Sequence, residues 1–207
     1  IENDFMNGKA HAKGFTKGKN GEFTIDVRFE RISPLANGVM PLARNKDGSF
    51  KNALYSEKDF FKASGTITLN GKVYTTNERS VGIIDDHKGY YPFNAHYDWL
   101  TTMGQIDVDG EKKYFAFNLT RNQSIDQEKY NENILWLEGE TSILPPVKFT
   151  RSPESKDFCD HSEWIIKDEH DMVNLKFKVY NMNPMIMHAL VVNIDYYVAF
   201  GELEGYL

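Results

Sequence analysis

The chain holds a single cysteine, Cys159, in 207 residues. That excludes an intrachain disulfide, and nothing in the cysteine usage points to a stapled secreted scaffold. Long apolar runs are also missing. The longest, around residues 185–192, is interrupted by His188 and falls well short of the ~18 residues that a spanning helix needs. No signal peptide is legible. The chain opens at Ile1 and reads as the interior of a longer protein. Its compartment stays open, with the cytoplasm as the default expectation. Positive charge is not in surplus: 24 Lys and Arg stand against 30 Asp and Glu, a formal net charge of −6. A nucleic-acid binder is more often basic, overall or along a stripe, because phosphate contacts supply much of its affinity. Nucleic acid is therefore not expected as a partner. The sequence shows no Walker-type loop, no GxGxxG on a strand–helix turn, no GxSxG elbow and no HExxH helix. Nucleotide-dependent enzymes, α/β-hydrolases and zincins fall away as first readings.

Helical periodicity is weak throughout. The best helical candidate is residues 56–61, where Ser56 would cap one or two turns. What is plentiful is apolar and aromatic material: 41% hydrophobic residues, with fourteen Phe, eleven Tyr and three Trp. That suffices for a packed core and argues against disorder.

The dominant pattern has period two. Phe23, Ile25, Val27 and Phe29 alternate with polar neighbours, and so do Val173, Leu175, Phe177 and Val179. Strict alternation puts one set of side chains on the core face of a sheet and the other in solvent. Residues 22–30 and 172–180 are therefore predicted strands. Asn20-Gly21, Asn70-Gly71 and Asp109-Gly110 sit beside such runs, and these pairs accept the positive φ angles of a type I′ hairpin turn. Hairpins are expected over 64–69 with 72–76 and over 105–108 with 112–119. Further strands are expected at 134–137, 147–151, 163–167 and 190–200. Residues 32–53, 122–131 and 151–160 read as loops. Short strands with turn signals between them predict an all-β, antiparallel barrel or sandwich over residues 1–207.

One segment departs from the alternation. Residues 83–99 hold three acids, two histidines, one lysine and five aromatics. An all-β scaffold has no structural need for that density of ionisable groups beside aromatics. Gly89 and Pro92 predict a bent or bulged backbone there. Asp85, Asp86, His87 and Lys88 occupy successive positions, so two of them face one side of a strand and two the other. Tyr91, Tyr97 and Trp99 share a parity and would form an apolar wall with polar tips. Asp85, Asp86 and His87 are the candidate catalytic groups, with a His–Asp acid–base pair as one reading and a satisfied surface turn as the other. A metal is not expected, because adjacent residues do not readily converge on one ion and no ligand spacing is recognisable. No cofactor is expected. Cys159 and His161 would form a thiol–imidazole pair, a reading that two-residue spacing in a charged loop supports only weakly. Two glycosylation sequons, at Asn118 and Asn122, matter only in a glycosylating compartment.

The stretch Val81-Gly-Ile-Ile-Asp85-x-x-Lys88-Gly89-x-Tyr91-Pro92-Phe93, continued by Tyr97-x-Trp99 and Gly104, resembles the signature of the domain of unknown function 2804 family. Asn118 then falls at that family's Phe-Asn strand, Glu132-Asn133 at its Glu-Asn pair, Glu138-Gly139 at its acidic-Gly turn, and Phe200-Gly201-x-x-x-Gly205 at its Phe-Gly strand. The resemblance runs from Ala63 to Leu207. Lys88 stands where Arg is more usual, and Tyr91 and Tyr97 where Trp is common. Lysine lacks the planar, permanently charged fork of arginine, which weakens any bidentate role at position 88. Family members continue past the Phe-Gly strand, so the resemblance implies an incomplete portion of a double-barrel protein. Residues 1–62 would then be the end of a first barrel and residues 63–207 most of a second.

That family is similar to lipocalin-type double-barrel proteins that include carotenoid 1,2-hydratase and the AttH-like proteins. The resemblance implies a lipocalin-like fold with an apolar cavity. In the hydratase branch an acid protonates an alkene and aromatic faces stabilise the cation. Asp85 or Asp86 would be that acid, and Tyr91, Tyr97 and Trp99 the walls. Lys88, Tyr91, Tyr97, Trp99, Asn118 and Asn133 are the expected ligand-binding residues. They should gather with Asp85 around one concavity, where Lys88, Asn118 and Asn133 could satisfy a buried carboxylate. Three functional readings stand side by side: a barrel binding a small hydrophobic molecule, an acid-catalysed hydratase or isomerase, and a structural module whose aromatics are core. An ion-paired Asp85 would favour binding or structure over catalysis.

Overall fold

The computed structural model describes residues 2–152, 162–190 and 192–207, and nearly all of them lie in or between antiparallel strands. A first sheet contains β1 (Glu2–Asp4), β2 (Lys9–Gly18), β3 (Gly21–Arg31), β4 (Ala36–Arg44), β5 (Phe50–Leu69), β6 (Lys72–Thr75) and β7 (Val81–Gly89). A second contains β8 (Asp98–Val108), β9 (Glu111–Arg121), β10 (Ile134–Leu137) and β11 (Glu140–Ile143). A third contains β12 (Lys148–Arg151), β13 (Glu163–Lys167), β14 (Asn174–Ala189) and β15 (Val192–Tyr206). Among the described residues no sheet closes into a barrel, so of the two arrangements expected the sandwich is the one that fits. No helix among them is long and apolar enough to cross a membrane.

The two strands with the cleanest alternation form as expected. β3 presents Val27 to the interior, with Phe23, Ile25 and Phe29 half-buried on the same face. Val173 leads into β14, where Leu175 and Val179 are buried and Phe177 half-buried. Turn chemistry sets the register. Leu69 pairs with Lys72 across Asn70 (φ 51°) and Gly71 (φ 80°), and Val108 pairs with Glu111 across Asp109 (φ 53°) and Gly110 (φ 84°). Both central residues have positive φ, as a type I′ turn requires. In the β2–β3 hairpin the tip lies one residue earlier than Asn20-Gly21, because Gly18 pairs with Gly21 across Lys19-Asn20.

Two expectations are overturned. Residues 56–61 are not helical but form the middle of β5, and residues 32–53 contain β4 and the start of β5. β5 is a spine of 20 residues, well beyond the ~3–10 typical of strands. Its second half lies between β3 and β6, and its first half between β4 and β7. Residues 58–61 are buried on both faces, so no polar face remains to show a period of two. β4 was masked by Pro41 in its interior. The strand tolerates it at the edge of the sheet, beside a register shift at Pro41/Ala43, which is where proline is admitted. The expected loop at 122–131 is present. Most of the one at 151–160 lies outside the described residues, with Cys159 and His161.

The second sheet is the middle layer. From Ala116 to Thr120 every residue of β9 is buried. Phe117 and Leu119 point into an apolar cluster with Leu144, Val147, Ile166, Val173 and Leu175 of the third sheet's side. Ala116 on the other face joins Ile134 and Trp136 against Ala36 and Phe60 of the first sheet.

Candidate functional site

Between β5 and β7 the register is set by direct pairing: Lys58 lies opposite Asp85, and Ser56 opposite His87. Directly paired residues on one face of an antiparallel ladder are close neighbours. The side chain of Lys58, only 2% exposed, donates to Asp85 Oδ1 at 2.8 Å, Ser56 Oγ at 3.0 Å and Glu132 Oε1 at 3.0 Å. His87 Nε2 lies 3.1 Å from Asp85 Oδ1 and 2.9 Å from Glu132 Oε1. Glu132, at the end of the 122–133 loop, also accepts from Ser56 Oγ at 2.7 Å and, through its second oxygen, from Asn122 Nδ2 at 3.0 Å.

Burial opposes the charged form of Asp85, but the hydrogen bond to His87 and the Lys58 ammonium overcome it and hold the carboxyl below its ordinary range. Burial likewise opposes ionisation of Glu132, and His87, Lys58, Asn122 and Ser56 together hold it far below the usual carboxylate range. Asp85 and Glu132 in return raise His87 to about 9, against burial and the nearby ammonium. At neutral pH the cluster is two cations and two anions, with no net charge. The two carboxylates converge on the Lys58 ammonium, and they also hold His87 Nε2 3.2 Å from it, two cations kept together by the anions they share. Among the described residues no His, Cys, Asp and Glu group is set to bind a metal.

This quartet floors a cavity of about 410 Å³. Met40 and Leu42 of β4, Leu54 of β5, Trp99 of β8 and Asn118 of β9 line it, and so do Tyr91, Pro92 and Tyr97 from the 90–97 segment and Tyr196 of β15. All three sheets therefore contribute. Gly89 ends β7 and lets the 90–97 segment turn over the cavity: at φ +147° a Cβ there would lie 2.3 Å from the Ala53 carbonyl oxygen. Trp99 Nε1 donates to Asn118 Oδ1 at 2.5 Å, and Asn118 Nδ2 donates to the Glu132 backbone at 2.8 Å, tying the aromatic wall to the floor. Tyr97 and Tyr196 have ring centroids 6.3 Å apart. Tyr91, Tyr97 and Trp99 are each about half exposed, whereas Lys58 and Glu132 are buried. The cavity thus runs from a wet aromatic mouth to a dry ionic floor. Burial raises the phenol pKa of Tyr91 and of Tyr97, with Asp85 adding to the first and Tyr196 to the second.

The structure brings Asp85, His87, Tyr91, Tyr97, Trp99 and Asn118 to this one concavity. It does not bring Asp86, Lys88 or Asn133. Asp86 and Lys88 pair with each other at 3.3 Å on the opposite face of β7, the Lys88 side chain 75% exposed, because alternate strand residues point apart. Asn133 is fully buried and structural: it accepts from the Thr120 backbone and donates to the Pro145 carbonyl. The cation expected from Lys88 comes instead from Lys58. Sequence reasoning missed Lys58, Ser56, Asn122 and Tyr196, and gave Glu132 no site role. A strand reading of β5 would have found Lys58, since it shares parity with Leu54 and Phe60 on the core face. The sequon at Asn118 is fully buried and closed to modification in the folded chain.

No curated protein matches the sequence, and no solved structure matches it. One family model does, over residues 8–207, so the likeness found from Ala63 onward extends back to the start of the β2–β3 hairpin. This chain belongs to the family described as domain of unknown function (DUF2804).

Proposed function

We propose that this chain binds one small, largely apolar molecule, its body against the aromatic wall and its polar end toward the ionic floor. One observation carries the reading: a cavity of about 410 Å³ that opens at Tyr91, Tyr97 and Trp99 and ends on Lys58, Asp85, His87 and Glu132. Its size lies within the ~300–1,000 Å³ of small-molecule sites, which combine apolar walls with a few placed polar groups. Aromatic side chains with polar tips suit a mouth that is apolar on one side and wet on the other. Buried ion pairs rarely add stability over apolar packing of the same volume, which supports a role for the quartet beyond holding the fold.

The acid-catalysed alternative loses its expected acid. Asp85 is ion-paired with Lys58 and held ionised, so it has no proton to give at neutral pH. A hydratase or isomerase reading would have to pass to His87, which carries a proton there. With its pKa raised to about 9 by Asp85 and Glu132, His87 is a weak acid for protonating an alkene, which gives that reading less support than binding.

Native mass spectrometry of the protein purified from its own host tests the proposal. An adduct of one small organic molecule, released on denaturation and lost when Ala95, which also lines the cavity, is enlarged in Ala95→Trp, is the expected result. A clean unliganded mass, together with no saturable uptake of an apolar probe such as naphthalene, would sink it and leave a structural module.

A further inference from the structure

We infer that the cavity rim docks on a lipid surface through the projecting half of the β14–β15 hairpin, so that the apolar ligand passes between cavity and lipid without crossing water; this names a partner for the binding site and rests on the binding reading. β13 pairs with β14 only as far as Lys178. Beyond it, residues 181–189 pair with residues 192–200 and, among the described residues, with no other strand. The chain carries no Lys, Arg, Asp or Glu between Lys178 and Asp195. The two faces of this ribbon differ. Directly paired residues share a face, so Met185 with Tyr196, Met187 with Ile194 and Ala189 with Val192 make up one of them. Of those side chains only Tyr196 carries a nitrogen or oxygen, and Met185, Met187 and Val192 are each about half exposed. The other face holds Asn193, Tyr197 and the ion pair of His188 with Asp195 at 2.9 Å.

The apolar face starts at the cavity. Tyr196 lines it and lies against Tyr97. From there the face runs outward for about 13 Å, four residues at ~3.3 Å each, toward a tip where Leu190 is fully exposed. In the 90–97 segment, which also lines the cavity, Phe93 is 94% exposed. Exposed apolar surface on this scale marks an interaction site. An element with one apolar and one polar face lies flat in a bilayer interface, which leaves its unpaired strand edges among headgroups and water. Tyrosines, present here as Tyr196 and Tyr197 at the ribbon's base, favour that interface. A protein partner would be held by hydrogen bonds and charged groups around an apolar centre, and this face offers one phenol. The net charge of −6 and the lack of Lys and Arg on the ribbon fit a neutral, zwitterionic lipid surface and not an anionic one.

Co-sedimentation of the full chain with phosphatidylcholine vesicles tests the inference, with naphthalene uptake measured separately in the absence of vesicles. The natural chain should pellet with the vesicles equally at low and high salt, since apolar contact is not screened. Met185→Ser combined with Met187→Ser should weaken vesicle binding by at least about tenfold. Naphthalene uptake should be unchanged, because neither residue lines the cavity. Ile186→Ser, on the other face, should affect vesicle binding much less. Should the double variant fail to fold, the salt series on the natural chain decides. No vesicle binding, binding that survives the double substitution, or binding only to phosphatidylglycerol vesicles at low salt overturns the docking face; naphthalene uptake then still upholds the cavity. A dimer in sedimentation velocity that the double substitution dissociates, without vesicle binding, overturns the lipid surface and gives the face to a second copy. Vesicle binding without naphthalene uptake sinks the cavity reading and, with it, the passage of ligand.

Discussion

The two faces of β9 are equally dry and are filled in opposite ways. Phe117 and Leu119 meet an apolar cluster against the third sheet. Asn118, between them in sequence, turns the other way and joins a cavity whose floor is four ionised groups. Apolar packing gains free energy for every methylene removed from water. The ionic side gains little net, because desolvation offsets attraction, and it is costly to disrupt. The same strand thus separates a face that holds the sandwich together from a face that keeps polar groups poised in a space left unfilled.

The comparison is broken most severely at Lys58. Lys58→Met leaves Asp85 and Glu132 with one cation between them, and chemical denaturation should show a loss of about 3–5 kcal/mol. Adding Glu132→Leu and Asp85→Leu should restore part of that loss while abolishing selectivity for a ligand's polar end. If the single and triple variants are equally unstable, the quartet is not an interdependent unit. On the apolar side, Leu119→Ala should cost about 2–5 kcal/mol, yet its folded fraction should bind apolar probes as the natural chain does. A matching loss of affinity would show that the two faces are not separate.

Smaller effects come from pH. The folded-state pKa of His87, about 9, lies above its ordinary 6.5. Its contribution is therefore full below about 6.5 and is lost as pH rises through about 9. Glu132 is shifted the other way: its contribution is present above its ordinary 4.5 and is lost as pH falls toward its depressed folded value. Stability of the quartet should peak between these ordinary values, and thermal melts of His87→Gln should lose the decline on the alkaline side. The smallest effect belongs to Lys88→Ala. Its exposed pair with Asp86 should change stability by no more than about 0.5 kcal/mol, and probe affinity should stay the same. A clear loss of binding in that variant would restore Lys88 to the site and contradict the strand parity.

Legibility followed burial. β3 and the start of β14 show one face to water, so their alternation survives in the sequence. β5 is covered on both faces at residues 58–61, and there the same rule returned a helix. The site was half legible for a related reason. Asp85, His87, Tyr91, Tyr97 and Trp99 lie within one stretch of chain, where their density is visible. Lys58 and Glu132 come from 27 residues before and 45 residues after the Asp85–His87 pair that they hold.

By itself, then, the sequence determined the antiparallel β class, the type I′ turns at Asn70-Gly71 and Asp109-Gly110, and the split of residues 85–88 onto two faces. Each follows from interactions between residues adjacent or two apart: backbone φ preference and the alternation of Cβ directions. The tertiary structure alone decided which cation Asp85 would meet. Lys88 is three residues away but points to the wrong side, whereas Lys58 faces Asp85 across the β5–β7 ladder. Long-range strand register is set by the packing of whole sheets, and no local preference around Asp85 encodes it.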